Sequence, residues 1–243
     1  LLDRVGKKVL LTQAGEQFFQ RVDKIFGEMI LARAELDQLG EWGRGRLRVG
    51  ASAAACQYIL PSVLREFKKE FPKCRLSIEP GDTKEIVESL RANTIDVAVT
   101  LEPERESDFA FSPLFTDELM FLVNPKHPWA EARRAVRMEI PREQYILYFR
   151  NSRTFEQIEN YFRAEKMVIK SVIDMGSMSA IKELVKLGLG VTILAPWVAQ
   201  NELTKKSLVA LPLGRRKLKR QWGVLYWKER PMGWAEDTFI KLC

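Results

Sequence analysis

The sequence predicts an α/β fold in two lobes, preceded along the chain by one long helix. Three observations support this prediction. Apolar residues recur at a 4-3 spacing between Phe18 and Leu39, as they do along the buried seam of a helix. Strand and helix patterns then alternate as β-α-β-α-β over residues 46–100. A second round of alternation begins near Tyr145 and continues to Leu194.

The long helix is expected from Gln13 to Leu39, with Thr12 as its N-cap. At 1.5 Å per residue it is about 40 Å long. Its apolar seam consists of Phe18, Val22, Ile25, Met29, Ala32, Leu36 and Leu39. Because such a seam is normally buried against another helix, the spacing predicts a dimerising helix.

The first α/β unit is a series of short segments. They are a strand over 46–51, a helix from Ile59 that ends at Pro72, a strand over 75–79, a helix around 86–90 and a strand over 95–100. Asn93 is expected to adopt the left-handed conformation that ends the second helix. The last strand is nearly all apolar, as in a strand covered on both faces, and this indicates a parallel sheet.

Two further strands, 109–115 and 118–123, are predicted before the second unit. That unit has a strand over 145–149, a helix over 154–165, a strand over 169–173, a helix over 176–185 that turns at Gly188 and Gly190, and a strand over 191–194. Two similar units in series predict two lobes that face a cleft, and ligands bind beyond the carboxyl ends of such strands. A late strand, 222–227, and the helix after Gly233 are expected to return to the first lobe.

Positive charge is concentrated in one late segment. The chain of 243 residues has a net charge of +7. Residues 203–227 contain no acid but seven cations: Lys205, Lys206, Arg215, Arg216, Lys217, Lys219 and Arg220. A run of like charges is usually a solvated face, so contact between this segment and DNA is the weaker of two interpretations.

Several classes of site lack the residues they need. Cys56, Cys74 and Cys243 are scattered and predict reduced thiols rather than a disulfide or a metal site. His127 is the one histidine, and no phosphate-binding loop or catalytic serine motif is present. We therefore expect no enzyme activity, no cofactor and no metal. Without a long apolar run or a signal peptide, the sequence predicts a cytoplasmic protein with no membrane segment.

Several segments together resemble the LysR-type bacterial transcriptional regulators. They are Arg4–Gly15, Leu60-Pro61 with 67–72, Ile95–Ala98, His127-Pro128, and Leu184–Val191 with Pro196, in the order and spacing of the family. The match covers essentially the whole chain. The resemblance implies a two-lobed effector domain like a type 2 periplasmic binding protein, preceded by a long linker helix and a remnant of a winged helix.

The resemblance also implies a division of the chain. Residues 1–12 would be the wing of the DNA-binding domain, 13–42 the dimerising linker helix, 46–125 with 221–243 regulatory lobe I, and 126–220 regulatory lobe II. The recognition helix is expected upstream of Leu1, which leaves Arg4, Lys7 and Lys8 of the wing to contact DNA. The implied partners are double-stranded DNA bound by the full-length parent, a small-molecule effector, further copies in a homodimer or homotetramer, and RNA polymerase.

Four polar segments stand between a predicted strand and a helix, where unpaired N–H groups can bind an anion. By resemblance these segments and Thr100 line the effector cleft, which gives the candidates Ser52, Ala53, Ala54, Gly81, Asp82, Thr83, Thr100, Phe149, Arg150, Asn151, Ser152, Ser177 and Met178. The alternative is that the hydroxyl residues among them merely cap their helices. Arg150 and Arg153 nearby favour an anionic effector.

The prediction for function is a ligand-responsive, DNA-binding transcriptional regulator. A small effector between the lobes would alter the oligomer and its binding to a promoter. One alternative is a solute-binding protein of a transport system, which shares the two-lobed fold but has no use for a heptad helix and needs an export signal. An enzyme on the same scaffold is a third possibility, and it lacks paired catalytic groups.

Overall fold

The computed structural model of the protein describes residues 1–5, 8–104 and 108–243, with side chains at all of these except 4–5, 8–10, 20, 30–44 and 171. The chain forms two compact units, Leu1–Arg46 and Leu47–Cys243. The second unit contains the predicted α/β pattern.

The first unit contains a hairpin and the long helix. Strands β1 (Leu2–Val5) and β2 (Lys8–Leu11) pair antiparallel, and helix α1 covers Gln13–Arg44. The helix begins where the sequence predicts, because the Thr12 hydroxyl accepts a hydrogen bond from the Gly15 N–H at 3.0 Å. It continues beyond the predicted end because a glycine inside a helix costs only about 1 kcal/mol and does not by itself end the helix.

The second unit alternates strands and helices. Its strands are β3 (Arg46–Ala51), β4 (Arg75–Pro80), β5 (Val97–Leu101), β6 (Phe109–Val123), β7 (Gln144–Tyr148), β8 (Ser171–Met175), β9 (Thr192–Leu194), β10 (Val209–Pro212) and β11 (Leu218–Trp227). Its helices are α2 (Leu60–Glu70), α3 (Thr83–Arg91), α4 (Pro128–Ala132), α5 (Arg153–Ala164), α6 (Met178–Lys186), α7 (Gln200–Thr204) and α8 (Trp234–Leu242). A π-helical turn, Ala55–Ile59, leads into α2.

The strand order produces two lobes. In the first lobe β4, β3, β5 and β11 lie side by side, with β3 parallel to β5 and β11 antiparallel to it. The first part of β6 pairs with β11, and its last residues lie between β9 and β10 in the second lobe. The parallel pair β7 and β8 joins this second sheet through a hydrogen bond from the Ile146 N–H to the Val191 carbonyl.

Each lobe has its own apolar core. In the first lobe α2 and α8 cover one face of the sheet, where the Phe67 ring contacts the ring of Phe239, and α3 buries Ile86 and Leu90 in a separate cluster. In the second lobe α5 packs against the side of the sheet that carries Phe121. Helix α6 packs in another cluster with the alternate residues of the same strands. Side chains of this size each contribute about 1.5–3 kcal/mol on burial, so both lobes have substantial cores.

Strand β6 is one continuous strand of 15 residues where the sequence predicts two shorter ones. The prediction of a break was wrong because Thr116 and Asp117, which are polar, continue the ladder opposite two residues of β11. Strand β11 begins at Leu218, before the predicted 222–227, because it pairs with this middle part of β6. Two antiparallel strands therefore run from one lobe into the other.

Strand β8 also differs from its prediction, which placed it at 169–173. The strand covers Ser171–Met175 because its residues pair in register with Gln144–Tyr148 on β7. Ile169 precedes the strand and packs against the second core instead. Tertiary pairing, rather than local pattern, decides this boundary.

The two predicted turns have the expected backbone conformations. Asn93 has φ 56° after α3, and Gly188 has φ 78° after α6. Both angles lie in the left-handed region, which asparagine and glycine tolerate best. A side chain at Gly190 would collide with the carbonyl oxygen of Gln144, so glycine lets the chain approach β7 closely.

Candidate functional site

A cavity of about 730 Å³ opens between the two lobes. Its walls contain seven of the residues predicted for effector binding: Ala53, Gly81, Asp82, Phe149, Arg150, Asn151 and Ser152. Five further residues of the walls escaped the sequence analysis: Pro80, Lys84, Glu85, Tyr148 and Asp174. Its volume is that of a pocket for a small organic molecule.

The fold brings these segments together because they follow the carboxyl ends of strands in both lobes. Ala53 follows β3, and Gly81 and Asp82 follow β4 in the first lobe. The segment from Phe149 to Ser152 follows β7 in the second lobe, and α5 begins directly after it. The general rule for open α/β sheets therefore locates the cavity correctly.

Six predicted residues lie outside the walls of this cavity, as far as the described part of the chain shows: Ser52, Ala54, Thr83, Thr100, Ser177 and Met178. Ala54 and Met178 are buried in the cores of the two lobes. The hydroxyls of Ser52 and Ser177 accept backbone N–H groups three residues further on, at 3.4 and 3.3 Å. For these two serines the geometry matches the capping alternative.

The two threonines have a structural contact of their own. The hydroxyls of Thr83 and Thr100 are hydrogen-bonded to each other at 2.9 Å and both residues are buried. Thr83 also borders a neighbouring cavity of about 490 Å³, together with Arg153 and Glu156. Lys84 and Glu85 border both cavities, so the two cavities are neighbours.

Asp82 connects the two lobes. Its carboxylate caps α3 in a capping box, in which the Glu85 carboxylate accepts the Asp82 N–H at 2.8 Å. The same Asp82 carboxylate accepts the N–H of Arg153, the first residue of α5, at 3.1 and 3.3 Å from its two oxygens. Burial raises the pKa of the Asp82 carboxyl, and hydrogen bonds from the backbone of Arg153 and Lys84 offset only part of that effect.

The cations at the cavity are paired with carboxylates. Arg150 Nε donates to Asp174 Oδ2 at 2.9 Å, and both side chains are more than one-third exposed. Lys84 Nζ lies 3.5 Å from Glu156 Oε2. Exposed pairs of this kind contribute little to stability, so an incoming anion can replace the carboxylate partner of Arg150 at low cost.

Arg153 is held more firmly than Arg150. Its guanidinium contacts Glu104 at 2.7 Å and Glu156 at 3.4 Å, and only 12% of its side chain is exposed. Its Nε is buried without a hydrogen-bond partner among the described groups. Since Glu104 belongs to the first lobe and Arg153 to the second, this ion pair is another contact between the lobes.

An aromatic surface forms one side of the cavity. The rings of Tyr148 and Phe149 lie 5.1 Å apart, and Phe149 remains half-exposed. The Phe149 ring lies directly against Gly176, where any Cβ would overlap it. Burial, with the negative charges of Asp82 and Glu85, raises the pKa of the Tyr148 phenol, which therefore remains a neutral hydrogen-bonding group.

A buried cluster lies on the crossing strands. The Asp117 carboxylate accepts hydrogen bonds from Arg220 at 2.9 and 2.5 Å, and from the indole N–H groups of Trp197 and Trp222 at 2.9 Å each. Arg220 also donates to the Thr154 hydroxyl at 2.9 Å. The cluster thus ties β6 and β11 to the first turn of α5.

The remaining predicted site residues lie in the first unit. Arg4 and Lys8 stand on the hairpin strands, but their side chains, and all of Lys7, lie outside the described residues. On α1 the side chains of Phe18, Ile25 and Met29 are more than half exposed, and Val22 is half-buried. The side chains of Ala32, Leu36 and Leu39 lie outside the described residues.

Part of the basic segment has structural partners. Arg216 pairs with Glu165 at 3.0 Å and lies 4.3 Å from the centre of the Tyr161 ring, and Lys217 pairs with Glu118 at 2.9 Å. With the Asp117 partner of Arg220, three of the seven cations contact acids elsewhere in the chain. These contacts favour the interpretation of a solvated face over that of a DNA contact.

Among the described residues, no group of three or more His, Cys, Asp or Glu side chains is arranged to hold a metal ion. None of the helices in that part of the chain combines the length and the apolar character needed to span a bilayer.

Two α/β lobes around a ligand-sized cavity define the class of periplasmic-binding-protein-like ligand-binding domains. In this chain a long helix with an apolar seam precedes that domain in sequence. The LysR substrate binding domain matches residues 41–243, and the chain belongs to the LysR family. The two-lobed, periplasmic-binding-protein-like α/β class and the family resemblance inferred from sequence are thereby confirmed, whereas the linker helix and the winged-helix remnant stay predictions. The protein is a ligand-responsive transcriptional regulator, and this family membership favours that prediction over a transport solute-binding protein.

Relatives of known identity agree with this assignment. The transcriptional dual regulator GltC of Bacillus subtilis is 26% identical over 99% of this chain and 80% of its own length. The regulator CysL of the same organism is 24% identical over 93% of this chain and 76% of its own. Both therefore extend beyond the region that they share with this chain.

Solved structures have the same fold. A full-length OxyR variant from Pseudomonas aeruginosa superposes with a TM-score of 0.74 at 22% identity, over 99% of this chain and 83% of that one. The effector-binding domain of QuiR in complex with shikimate superposes with a TM-score of 0.70 at 21% identity, over 82% of this chain and 94% of that one. The Synechocystis CcmR regulatory domain in complex with 2-PG superposes with a TM-score of 0.71 at 24% identity, over 81% of this chain and 94% of that one.

Proposed function

We propose that the protein binds a small anionic effector in the cavity between its lobes, and that binding alters the oligomer and its hold on a promoter. The observation that carries the proposal is the composition of the cavity walls, because segments from both lobes contribute to them. A ligand that contacts both lobes binds best to one arrangement of them and so shifts the population towards it. The QuiR and CcmR domains, which share this fold, each bind a small molecule.

The residues proposed to bind the effector are the predicted ones that border the cavity. The Arg150 guanidinium supplies the positive charge, and the Asn151 amide supplies a polar contact, while Ser152 borders the cavity beside them. The Phe149 ring supplies an apolar surface. Pockets for small molecules commonly combine an apolar wall with a few placed polar groups in this way.

The rest of the chain is proposed to connect this sensor to DNA. Residues 1–12 would be the wing and 13–42 the linker helix, with lobe I at 46–125 and 221–243 and lobe II at 126–220. The exposed apolar side chains of α1 support burial against a second copy, since contiguous exposed apolar surface marks an interaction site. The assembly is a cytoplasmic homodimer or homotetramer on double-stranded DNA, where it contacts RNA polymerase.

The ligand proposal is tested by thermal shift and calorimetry with matched panels of anionic and neutral metabolites. We expect at least one anionic compound to bind, and the variant Phe149→Ala to weaken that binding. Met138→Ala is the control, because Met138 is an exposed apolar residue outside the cavity walls. Binding of neutral compounds alone would contradict the anionic assignment.

The oligomer is tested by sedimentation of the chain and of Ile25→Glu, which adds a charge to the middle of the α1 seam. We expect a dimer or tetramer for the unmodified chain and a smaller species for the variant. Lys24→Glu, a neighbouring charge change away from the seam, is the control. An unmodified chain that sediments as a monomer would contradict the proposal.

A further inference from the structure

The N-terminus of α5 already has an anion bound to it, and that anion belongs to the protein. In the first turn of α5 the Arg153 N–H is accepted by the Asp82 carboxylate and the Phe155 N–H by the Ser152 hydroxyl. Asp82 reaches α5 from the other lobe, while it also caps α3. One carboxylate thus lies between the positive ends of two helices.

We propose that Asp82 is a specificity-determining residue, a resident anion that restricts the cavity to effectors with a single anionic group. This inference rests on the proposed function, since it concerns which anions that cavity accepts. An effector anion that approached α5 would have to displace the Asp82 carboxylate. Because that carboxylate is tethered to the fold, it competes at an effective concentration of the order of millimolar or above.

The single anionic group that the cavity accepts is directed to Arg150. The partner of Arg150 is Asp174, and this pair is exposed enough for a ligand carboxylate to replace the Asp174 carboxylate. The body of the effector then lies against the half-exposed Phe149 ring. A second anionic group on the same molecule would meet the carboxylates of Asp82 and Glu85, which also border the cavity and repel a like charge.

The experiment follows the Arg153 amide by NMR in the isotope-labelled whole chain, with acetate as a probe of one carboxylate and malonate as a probe of two. The variant is Asp82→Ser, because serine is a good N-cap and preserves α3 but has neither the charge nor the length to bind the Arg153 N–H. Asp174→Ser is the matched control, since it removes another carboxylate of the cavity wall and leaves Asp82 in place.

We expect the Arg153 resonance of the unmodified chain and of Asp174→Ser to be insensitive to either probe. In Asp82→Ser it should shift saturably with malonate, whereas the unmodified chain should show no saturable shift even at malonate concentrations about fivefold higher. The proposal is overturned if malonate shifts Arg153 equally in the unmodified chain and in Asp82→Ser, or if neither probe shifts it in the variant. A metabolite panel that fails to bind would contradict the proposed function and leave this comparison unaffected, since the probes report on Arg153 directly.

Discussion

Asp117 and Asp82 are two carboxylates that each join separate parts of the fold, and their surroundings differ. Asp117 is 3% exposed and receives a guanidinium and two indole N–H groups. Asp82 receives backbone N–H groups from α3 and α5 and borders an open cavity. The first carboxylate has a full counter-charge, whereas the second is held by dipoles alone.

The difference indicates where the lobes can adjust to a ligand. Removing one partner from a buried ion pair leaves an uncompensated charge, so the cluster around Asp117 behaves as a fixed joint. A carboxylate bound by neutral N–H groups loses less interaction free energy when it is released, because water can replace those donors. Adjustment between the lobes is therefore expected at the Asp82 side of the cleft, with the crossing strands as the constant element.

The largest effect is expected for Asp117→Ala, which leaves the Arg220 guanidinium buried without its partner. We expect a loss of about 3–5 kcal/mol in the free energy of unfolding, measured by urea denaturation. Asp174→Ala, which breaks the exposed pair with Arg150, is the control and should cost less than about 1 kcal/mol. Equal losses for the two variants would remove the distinction between fixed and exchangeable carboxylates.

Asp96 provides an intermediate case. Burial acts to raise its pKa, but hydrogen bonds from Arg48, the closest at 2.7 Å, outweigh burial, and the pKa lies below its usual range. We expect Asp96→Asn to cost about 1–3 kcal/mol at neutral pH. A lowered pKa stabilises the fold above the ordinary carboxyl value, and this contribution is lost as pH falls through the lowered one.

The measurement for Asp96 is therefore a set of denaturation curves at several pH values. The stabilities of the unmodified chain and Asp96→Asn should converge in acid. A difference that stays constant down to the acid limit would show that the charge on Asp96 is not responsible.

A smaller effect is expected for Gly176→Ala. Its new methyl group overlaps the Phe149 ring, but that ring is half-exposed and can turn outward. We expect a loss of about 1 kcal/mol or less in stability. Affinity for any cavity ligand should fall much more, as calorimetry would reveal. Unchanged affinity would mean that Phe149 is not part of the binding surface.

The smallest effect is expected for Asp82→Asn, and its pH dependence should have the opposite sign to that of Asp96→Asn. Because the pKa of Asp82 is raised, its contribution to stability is present below the ordinary carboxyl value and declines as pH rises through the raised one. The asparagine variant should match the unmodified chain in acid and equal or exceed its stability at neutral pH, by less than about 1 kcal/mol. A clear loss of stability in Asp82→Asn at neutral pH would show that Asp82, like Asp117, is a fixed contact between the lobes.

Local signals in the sequence were sufficient for most of the fold. The Thr12 cap, the left-handed turn at Asn93 and the alternation of strands and helices depend on neighbours within a few residues, and the structure has all three. The rule on carboxyl ends of strands also located the cavity. Asp174 could have been found with the same rule, since it directly follows the predicted strand 169–173.

Other features depend on contacts between distant parts of the chain. Asp117 and Arg220 are 103 residues apart, and nothing in either local pattern indicates that they pair. The continuity of β6 through Thr116 depends on β11 in the same way. The bond between Asp82 and the Arg153 N–H joins different lobes, so the sequence could suggest a helix cap at Asp82 but not its second role.

The 15-residue strand β6 has a consequence for attempts to study the lobes separately. The same strand supplies backbone hydrogen bonds to both sheets, and β11 returns along it. If the chain were cut between the lobes, one of the two sheets would lose a central strand. The unpaired strand edges left in that sheet would promote aggregation. Any truncated form of this protein should therefore keep residues 109–123 and 218–227 together. The role of each lobe is better tested by point substitutions in the whole chain than by excising the lobe.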